Sequence, residues 1–533
     1  MEAFCPLLSQ SNVEDLMKEY HVPGLSIGFV KDGKVTSSAY GVLNRHTQQT
    51  CTPSTLFDIA SCSKSLTAAC IAILVEDDNY PEITWTTPLS KLLPEDFVMP
   101  TEEATENVTV EDMLCHRTGM ARHDLSYVGI NGEQPDTPRS VTRSLRYLPM
   151  AAPEKTKYML YSNAMYTIAT HLIEVKTNLS FSDFLTRKLL IPLGMTSTYV
   201  QPSSAKAAGQ DGRIAYGHTF DKSTETWTIF LPLETPEAQG AGSIITTSLD
   251  YTTWISSLLS HLPPLIQSIS TALSTPKILL PPEETDNLPP FSSPPLYCLG
   301  FETYFYRGYK VVIHDGCVDG FGSSHFFLPG QGFGAAIFGN GDDAFAVTGI
   351  IAKQLIDAAL KIPGDARIDW AELQRRKSRE AEEEYDIERE AQEMREELFD
   401  ETRSSVEPLA LERCLGRYRN PGYGLFVLEL KDGELFIDLN DRGFPSSIVL
   451  ENVQTWIDEG EIETLTVGDK KAEMTKSAFI AHLTPSRGTY KEVLETQFEI
   501  LRGHDGREEF KMGIRLENDL VEGELIWFTR EQS

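Results

Sequence analysis

The stretch from Phe57 to Glu76 constrains the chain more than any other. It reads Phe-Asp-Ile-Ala-Ser-Cys-Ser-Lys-Ser-Leu-Thr-Ala-Ala-Cys-Ile-Ala-Ile-Leu-Val-Glu, a turn followed by a helix. Leu66, Ala69, Cys70, Ile73 and Leu74 recur at helical spacing, which predicts one face directed at a core. Ser61 and Lys64 stand at the helix start, three residues apart and therefore on one face. A serine there meets unpaired backbone N–H groups, the positive end of the helix dipole and an ammonium. Each favours an oxyanion over an alcohol, which is what a nucleophilic serine requires. The same pair serves equally well as a helix cap and a solvated charge. The spacing recurs at Ser203/Lys206 and Ser274/Lys277, where Pro202 and Pro276 argue against a buried helix start.

Composition narrows the partners. The 533 residues carry a formal charge of −31, which disfavours a nucleic acid or an anionic membrane. No run reaches the roughly 18 consecutive apolar residues of a membrane span. The opening Met-Glu-Ala-Phe-Cys-Pro has neither a basic start nor an apolar core, so no secretory signal is read there. Eight scattered cysteines show no disulfide or metal spacing, and no C-x-x-C or H-E-x-x-H is present. The expectation is a cytoplasmic, reduced protein without metal or cofactor, of unknown oligomeric state.

In chain order, a short helix over 12–22 precedes two strands, 25–30 and 35–42, joined at Lys31-Asp-Gly-Lys34. Gly24-Leu-Ser-Ile-Gly28 matches a G-x-S-x-G nucleophile elbow. Its serine sits mid-strand, however, and the chain turns into a second strand rather than a helix, so the match is rejected. Thr109 is placed to cap a helix that ends at Gly119, and His116 and His123 beside it read as structural rather than as metal ligands. Tyr161 and Asn163 stand on the entrance turn of a helix running from Ala164 towards Val175. Short runs at 297–304, 310–314, 324–328 and 334–339 predict an antiparallel sheet that meets the first hairpin. From Asp365 to Arg403 a charged segment with a narrow Ile387, Ala391, Met394, Leu398 stripe predicts a solvated helix bridging two domains. Residues 408–533 alternate apolar and polar over at least seven short runs, which predicts a small antiparallel barrel. The fold class is α+β: a catalytic domain over 1–362, a charged helical linker over 363–407 and the barrel over 408–533.

Three motifs stand in order: Ser61-Cys-Ser-Lys64, Tyr161-Ser-Asn163 and His314-Asp-Gly316. With Phe57-Asp-Ile-Ala, Met113-Leu-Cys-His-Arg-Thr-Gly119, Pro192-Leu-Gly-Met195 and Ala241-Gly-Ser-Ile-Ile-Thr-Thr247, they resemble the serine β-lactamase and penicillin-binding-protein superfamily over roughly 12–360. The match is nearest to the class C-like esterase and D-aminopeptidase branch. The tail from Cys414-Leu-Gly-Arg-Tyr through Asn420-Pro-Gly-Tyr-Gly424 resembles the lipocalin-like barrel appended to such enzymes.

The resemblance implies that Ser61 attacks a carbonyl and becomes acylated, with Lys64 and Tyr161 as its proton relay. Asn163 would orient Lys64 and contact the substrate, and the backbone N–H groups of Ser61 and Cys317, beside Gly316, would form the oxyanion hole. The substrate would be a small acyl compound: an ester, a thioester or an amide. The activity would be hydrolysis or acyl transfer. The alternative is a catalytically retired binding or scaffold protein. His314 and Asp315 replace the lysine and hydroxyl residue that hold a β-lactam carboxylate in relatives. A neutral histidine and a repelling Asp315, worth roughly 4 kcal/mol at 4 Å and an effective dielectric of about 20, predict poor turnover of penicillins. Arg307 and Lys310 are the alternative carboxylate holders.

Overall fold

The computed structural model describes residues 9–532 except 153–154, 286–287, 404, 459–472, 489–490, 504–506 and 521–523. The opening Met-Glu-Ala-Phe-Cys-Pro lies outside the described residues, as do Pro153 and Glu154 before the second motif. The chain folds into two compact units. One comprises Met1–Arg122, Asp136–Leu145 and Ala152–Ser378; the other comprises His123–Pro135, Arg146–Ala151 and Arg379–Ser533.

The first unit is built on a nine-stranded sheet whose described pairings are all antiparallel. The predicted hairpin, Gly24–Lys31 and Lys34–Asn44, pairs through its first strand with Phe333–Gly339, in register from Leu25↔Gly339 to Lys31↔Phe333. Phe321–Leu328, Tyr309–Val318 and Glu302–Tyr306 follow outward. On one face Val13 and Met17 of helix Gln10–Glu19, Ile351 and Leu355 of helix Ala344–Ala359, and Trp370 close a core over Ile27, Phe326 and Ile337. Helix Ser248–Ser260 lies on the other face so closely that a Cβ on Gly28 would meet Thr252 Oγ1 at 2.2 Å. Ser26 Oγ is bonded to Ser248 Oγ at 2.7 Å, which disposes of the G-x-S-x-G match: its serine and second glycine pack a helix onto a strand.

The second unit holds a closed barrel of eight strands, each paired with its sequence neighbour, from Gly416–Asn420 to Ile526–Arg530. First and last strands close it at Tyr418↔Arg530 and Arg419↔Thr529. Its interior is filled, with Phe479 and Phe498 ring centroids 5.1 Å apart and Phe426 and Phe528 at 4.4 Å. Two stretches from mid-chain belong to this unit, a feature the sequence did not disclose. Gly129 N–H donates to Asp441 O at 2.7 Å and Gly443 N–H to Tyr127 O at 3.0 Å. His123 is buried there: its Nδ1 lies 2.7 Å from Tyr423 Oη and its Nε2 lies 2.7 Å from Pro149 O.

The charged segment forms two helices rather than one, Trp370–Glu384 and Ile387–Leu398. Asp386 causes the break by accepting the Arg389 N–H at 3.0 Å, which starts the second helix afresh.

Candidate active site

Ser61 stands on a single 3₁₀ turn, Ala60–Cys62, that runs directly into helix Ser63–Val75. Asp58 Oδ1 accepts the Ala60 N–H at 2.8 Å, and Ala60 takes φ = 44°, a left-handed backbone that a residue with a side chain seldom adopts. The turn is therefore tensioned immediately before the serine. Desolvation raises the Asp58 carboxyl to about 6, and the Ala60 N–H pulls it back. The helix differs from expectation in being buried on nearly every side. Its small residues, Ala68, Ala69, Cys70 and Ala72, let neighbouring elements approach all round it.

Lys64 is consequently buried, and its ammonium is held by three acceptors. Nζ donates to Ser61 Oγ at 3.0 Å, Asn163 Oδ1 at 2.8 Å and Ala241 O at 2.9 Å. Burial without such partners would cost several kcal/mol. Tyr161 Oη donates to Ser61 Oγ at 2.9 Å, and Lys64 Nζ lies 4.7 Å from the Tyr161 ring centroid. Asn163 opens helix Asn163–Thr177, which brings the second motif to the first across about 100 residues of sequence.

The strand Tyr309–Val318 passes alongside this turn. A Cβ on Gly316 would stand 2.5 Å from Ile59 O and 3.0 Å from Ser61 N, so only glycine fits. Ser323 Oγ on the adjacent strand donates to Ile59 O at 2.7 Å, and Cys62 Sγ donates to His314 O at 3.3 Å. These bonds stitch the sheet to the turn. Cys317 follows Gly316 and is accessible. Desolvation, then the Asp342, Asp319 and Asp343 carboxylates, raises its thiol to about 12, which leaves it un-ionised at neutral pH.

His314 is buried, with Nδ1 2.6 Å from Asp315 O and Nε2 3.1 Å from Tyr297 Oη. The carbonyl fixes the proton on Nδ1, so Nε2 accepts from the tyrosine. Desolvation, reinforced by the Lys64 charge, lowers it to about 3, so it is neutral at pH 7. Asp315 corrects the sequence reading. Successive strand residues face opposite ways, and the Asp315 side chain lines a cavity with Tyr304, Tyr306, Lys353 and Trp370 instead of the site. Its carboxylate does not face a substrate at Ser61 directly, although its charge is felt by the neighbouring Cys62 thiol. Arg307 and Lys310, the alternative carboxylate holders, are each bonded to backbone of another segment. Arg307 donates to Ala366 O at 2.6 Å and Lys310 to Ser274 O at 2.8 Å.

Three contributors escaped the sequence. The Ala241 carbonyl completes the Lys64 cradle, yet a carbonyl belongs to every residue and carries no signature. Arg122 places its guanidinium 5.6 Å from the Tyr161 ring centroid. His116, recognised only as structural, packs its ring 4.3 Å from that of Tyr161 and accepts the Ser162 N–H on Nδ1 at 3.1 Å. Desolvation first, then Lys64, His314 and Arg122, holds its pKa well below the usual value. It is a neutral support beneath the tyrosine. Among the described residues no cluster of three or more His, Cys, Asp or Glu could hold a metal, and no helix is long and apolar enough to cross a membrane.

Residues 10–358 match the family model described as Beta-lactamase. The chain is 35% identical over 362 residues to the unguisins hydrolase ungD' of Aspergillus campestris, covering 67% of this chain and 66% of that protein. It is 34% identical over 383 residues to the unguisins hydrolase ungD of Aspergillus violaceofuscus, covering 68% of this chain and 66% of that one. The aligned region thus spans just under two thirds of each relative's length. The octameric penicillin-binding protein homologue from Pyrococcus abyssi shares the fold over 98% of this chain and 100% of its own, with a TM-score of 0.57 at 19% identity.

Proposed function

Because the chain belongs to the β-lactamase family, within the serine β-lactamase and penicillin-binding-protein superfamily, we propose that it is a serine hydrolase. Ser61 would form an acyl-enzyme with an amide, ester or thioester. One observation carries this reading: Ser61 Oγ is bonded at once by Lys64 Nζ at 3.0 Å and Tyr161 Oη at 2.9 Å. A retired site would have no use for a buried ammonium held against a serine. The names of the two fungal relatives favour hydrolysis over acyl transfer and an unguisin-like substrate.

The geometry supports one division of labour in the relay. Lys64 spends its three N–H groups on three acceptors, so it acts as a fixed ammonium. Tyr161 is then the proton carrier. The ammonium and the Arg122 guanidinium beside its ring favour negative charge on its oxygen. The phenol that donates to Ser61 Oγ in the resting site must first give its proton to solvent; as a phenolate, Tyr161 then takes the Ser61 proton while Oγ bonds the carbonyl carbon. The resulting oxyanion faces the N–H groups of Ser61 and Cys317, each donor worth roughly 3–4 kcal/mol. Collapse breaks the bond to the leaving group, which collects the proton from Tyr161. Water repeats the sequence: Tyr161 takes its proton, the acyl–Oγ bond breaks, and Ser61 regains its hydrogen as the acid leaves.

With His314 neutral, the third motif offers no cation to a β-lactam carboxylate, so neutral acyl compounds are the better substrates. Incubation with a fluorophosphonate followed by intact mass measurement tests the nucleophile. A single adduct on the protein, absent from Ser61→Ala, is expected. Labelling that persists in the variant refutes the assignment. A panel of esters, thioesters and D- and L-aminoacyl amides, assayed for released acid, then separates the substrate classes.

A further inference from the structure

On the far side of the sheet from Ser61 lies a cavity of about 250 Å³. Its floor is formed by Tyr304, Tyr306, Ile313 and Asp315, which share one face of two paired strands, and helix residues Lys353 and Trp370 close over it. At about 30 Å³ per water, the space equals roughly eight waters, comparable to the heavy atoms of one amino acid. The aromatic wall is rigid. Tyr306 Oη donates to Asp357 Oδ1 at 2.8 Å, and Trp370 Nε1 donates to Asp357 Oδ2 at 2.7 Å.

Four charged residues line this space, Glu302, Asp315, Lys353 and Lys377, and the buried pair Asp315 and Lys353 attract each other across it without direct contact. Asp315 Oδ1 is buried and bonded by no group among the described residues. Ser324, its partner across the ladder, is fully buried and is the one neighbouring hydroxyl that eases the Asp315 carboxyl. The Lys353 ammonium lies over the Trp370 ring at 5.6 Å, and no ion pair joins it to Asp315 among the described residues. Desolvation raises the Asp315 carboxyl and lowers the Lys353 ammonium, and each is drawn back only in part by the other's charge, so a further compensating charge is favourable to both.

We propose that this cavity binds a small zwitterion, a free α-amino acid with an apolar or aromatic side chain. Its carboxylate would lie on Lys353 Nζ, its ammonium on Asp315, and its side chain against Trp370 and Tyr304. Neither charged residue belongs to the Ser61 relay. Asp315 does lie on the strand between His314 and Gly316, so an occupant would touch the back of the segment that lines the Ser61 turn.

The test is calorimetric titration of the full-length Ser61→Ala protein with L- and D-phenylalanine and leucine, followed by N-acetylphenylalanine and phenylalaninamide. Saturable binding of a free amino acid is expected, weakened at least about tenfold in each singly charged analogue. Asp315→Asn and Lys353→Met should each weaken it by a similar factor, while Lys353→Arg, which keeps the charge, should restore it. Fluorophosphonate labelling of Ser61 should be unchanged when the same substitutions are made in the otherwise unaltered protein. No saturable binding at about 10 mM ligand, binding indifferent to both Asp315→Asn and Lys353→Met, or equal binding of N-acetylphenylalanine would each overturn the proposal.

Discussion

Replacing Gly316 with alanine tests the closest approach in the site. The added methyl would stand 2.4 Å from Ser323 Oγ, 2.5 Å from Ile59 O and 3.0 Å from Ser61 N. The serine hydroxyl can rotate away, but Ile59 O is backbone on the tensioned turn. Ordinary contact begins near 3.4 Å, so strand and turn must part by about 0.9 Å, the difference between 3.4 and 2.5 Å. Overpacking of this kind costs about 1–3 kcal/mol of stability. The larger effect falls on catalysis, because the displaced strand carries the Cys317 N–H. A misplacement of about 1 Å is worth about 10²-fold, and loss of one oxyanion donor about 10²–10³ in kcat. Lys64, Tyr161 and Asn163 lie on other elements, so Ser61 should still be labelled by a fluorophosphonate, only more slowly. The assay is single-turnover acylation by a chromogenic ester beside urea unfolding. An alanine variant with the unaltered acylation rate and stability would refute both the close approach and the oxyanion role of this strand.

Ser61→Ala should abolish turnover and labelling at a stability cost of about 1 kcal/mol or less, whereas Ser26, Ser203 and Ser274 should accept alanine with activity kept in a steady-state assay. Lys64→Ala and Tyr161→Phe should each slow acylation by about two to four orders of magnitude, and the double variant should lose far less than the product; multiplicative losses would show separate steps. His314→Lys should improve acylation by penicillins relative to neutral esters, measured as a ratio of kcat/KM values, while efficient penicillin turnover by the unaltered protein would contradict the loss of the third-motif cation. Glu237 is fully buried with neither carboxylate oxygen bonded among the described residues, and desolvation raises it to about 8. Between its unfolded value of about 4.5 and about 8, the folded state holds the extra proton, so its contribution to stability falls as pH rises through that window. Urea midpoints at pH 6 and pH 9 should therefore converge in Glu237→Gln, and an unchanged difference would place the proton elsewhere.

Much of this was legible because the chemistry repeats at short range. Ser61 and Lys64 are three residues apart, and Tyr161 and Asn163 share one turn, so local geometry brings each pair together before tertiary structure is considered. The hairpin and the barrel announced themselves through turn residues and period-two alternation. Asp315 could have been placed correctly from the same alternation: a strand that turns His314 inward turns its neighbour outward. Comparison by motif overrode that rule by treating adjacent residues as adjacent side chains. Other features had no signal to read. The Ala241 carbonyl is anonymous, Arg122 is one arginine among many, and the mid-chain stretches of the barrel unit are held partly by backbone bonds such as Gly129 to Asp441.

The pairing of Gly24–Lys31 with Phe333–Gly339 has a consequence for biosynthesis. The strand ends at Lys31, and its outer neighbour is complete only at Gly339, 308 residues later (339 − 31). At about 5–20 residues per second of translation, the hairpin waits roughly 15–60 s with Leu25, Ile27 and Phe29 on an open edge. That interval far exceeds the microseconds in which a hairpin forms. An edge of this kind invites pairing with another nascent chain. Yield in a heterologous host should therefore depend more on chaperone supply and translation speed than on the stability of the finished protein.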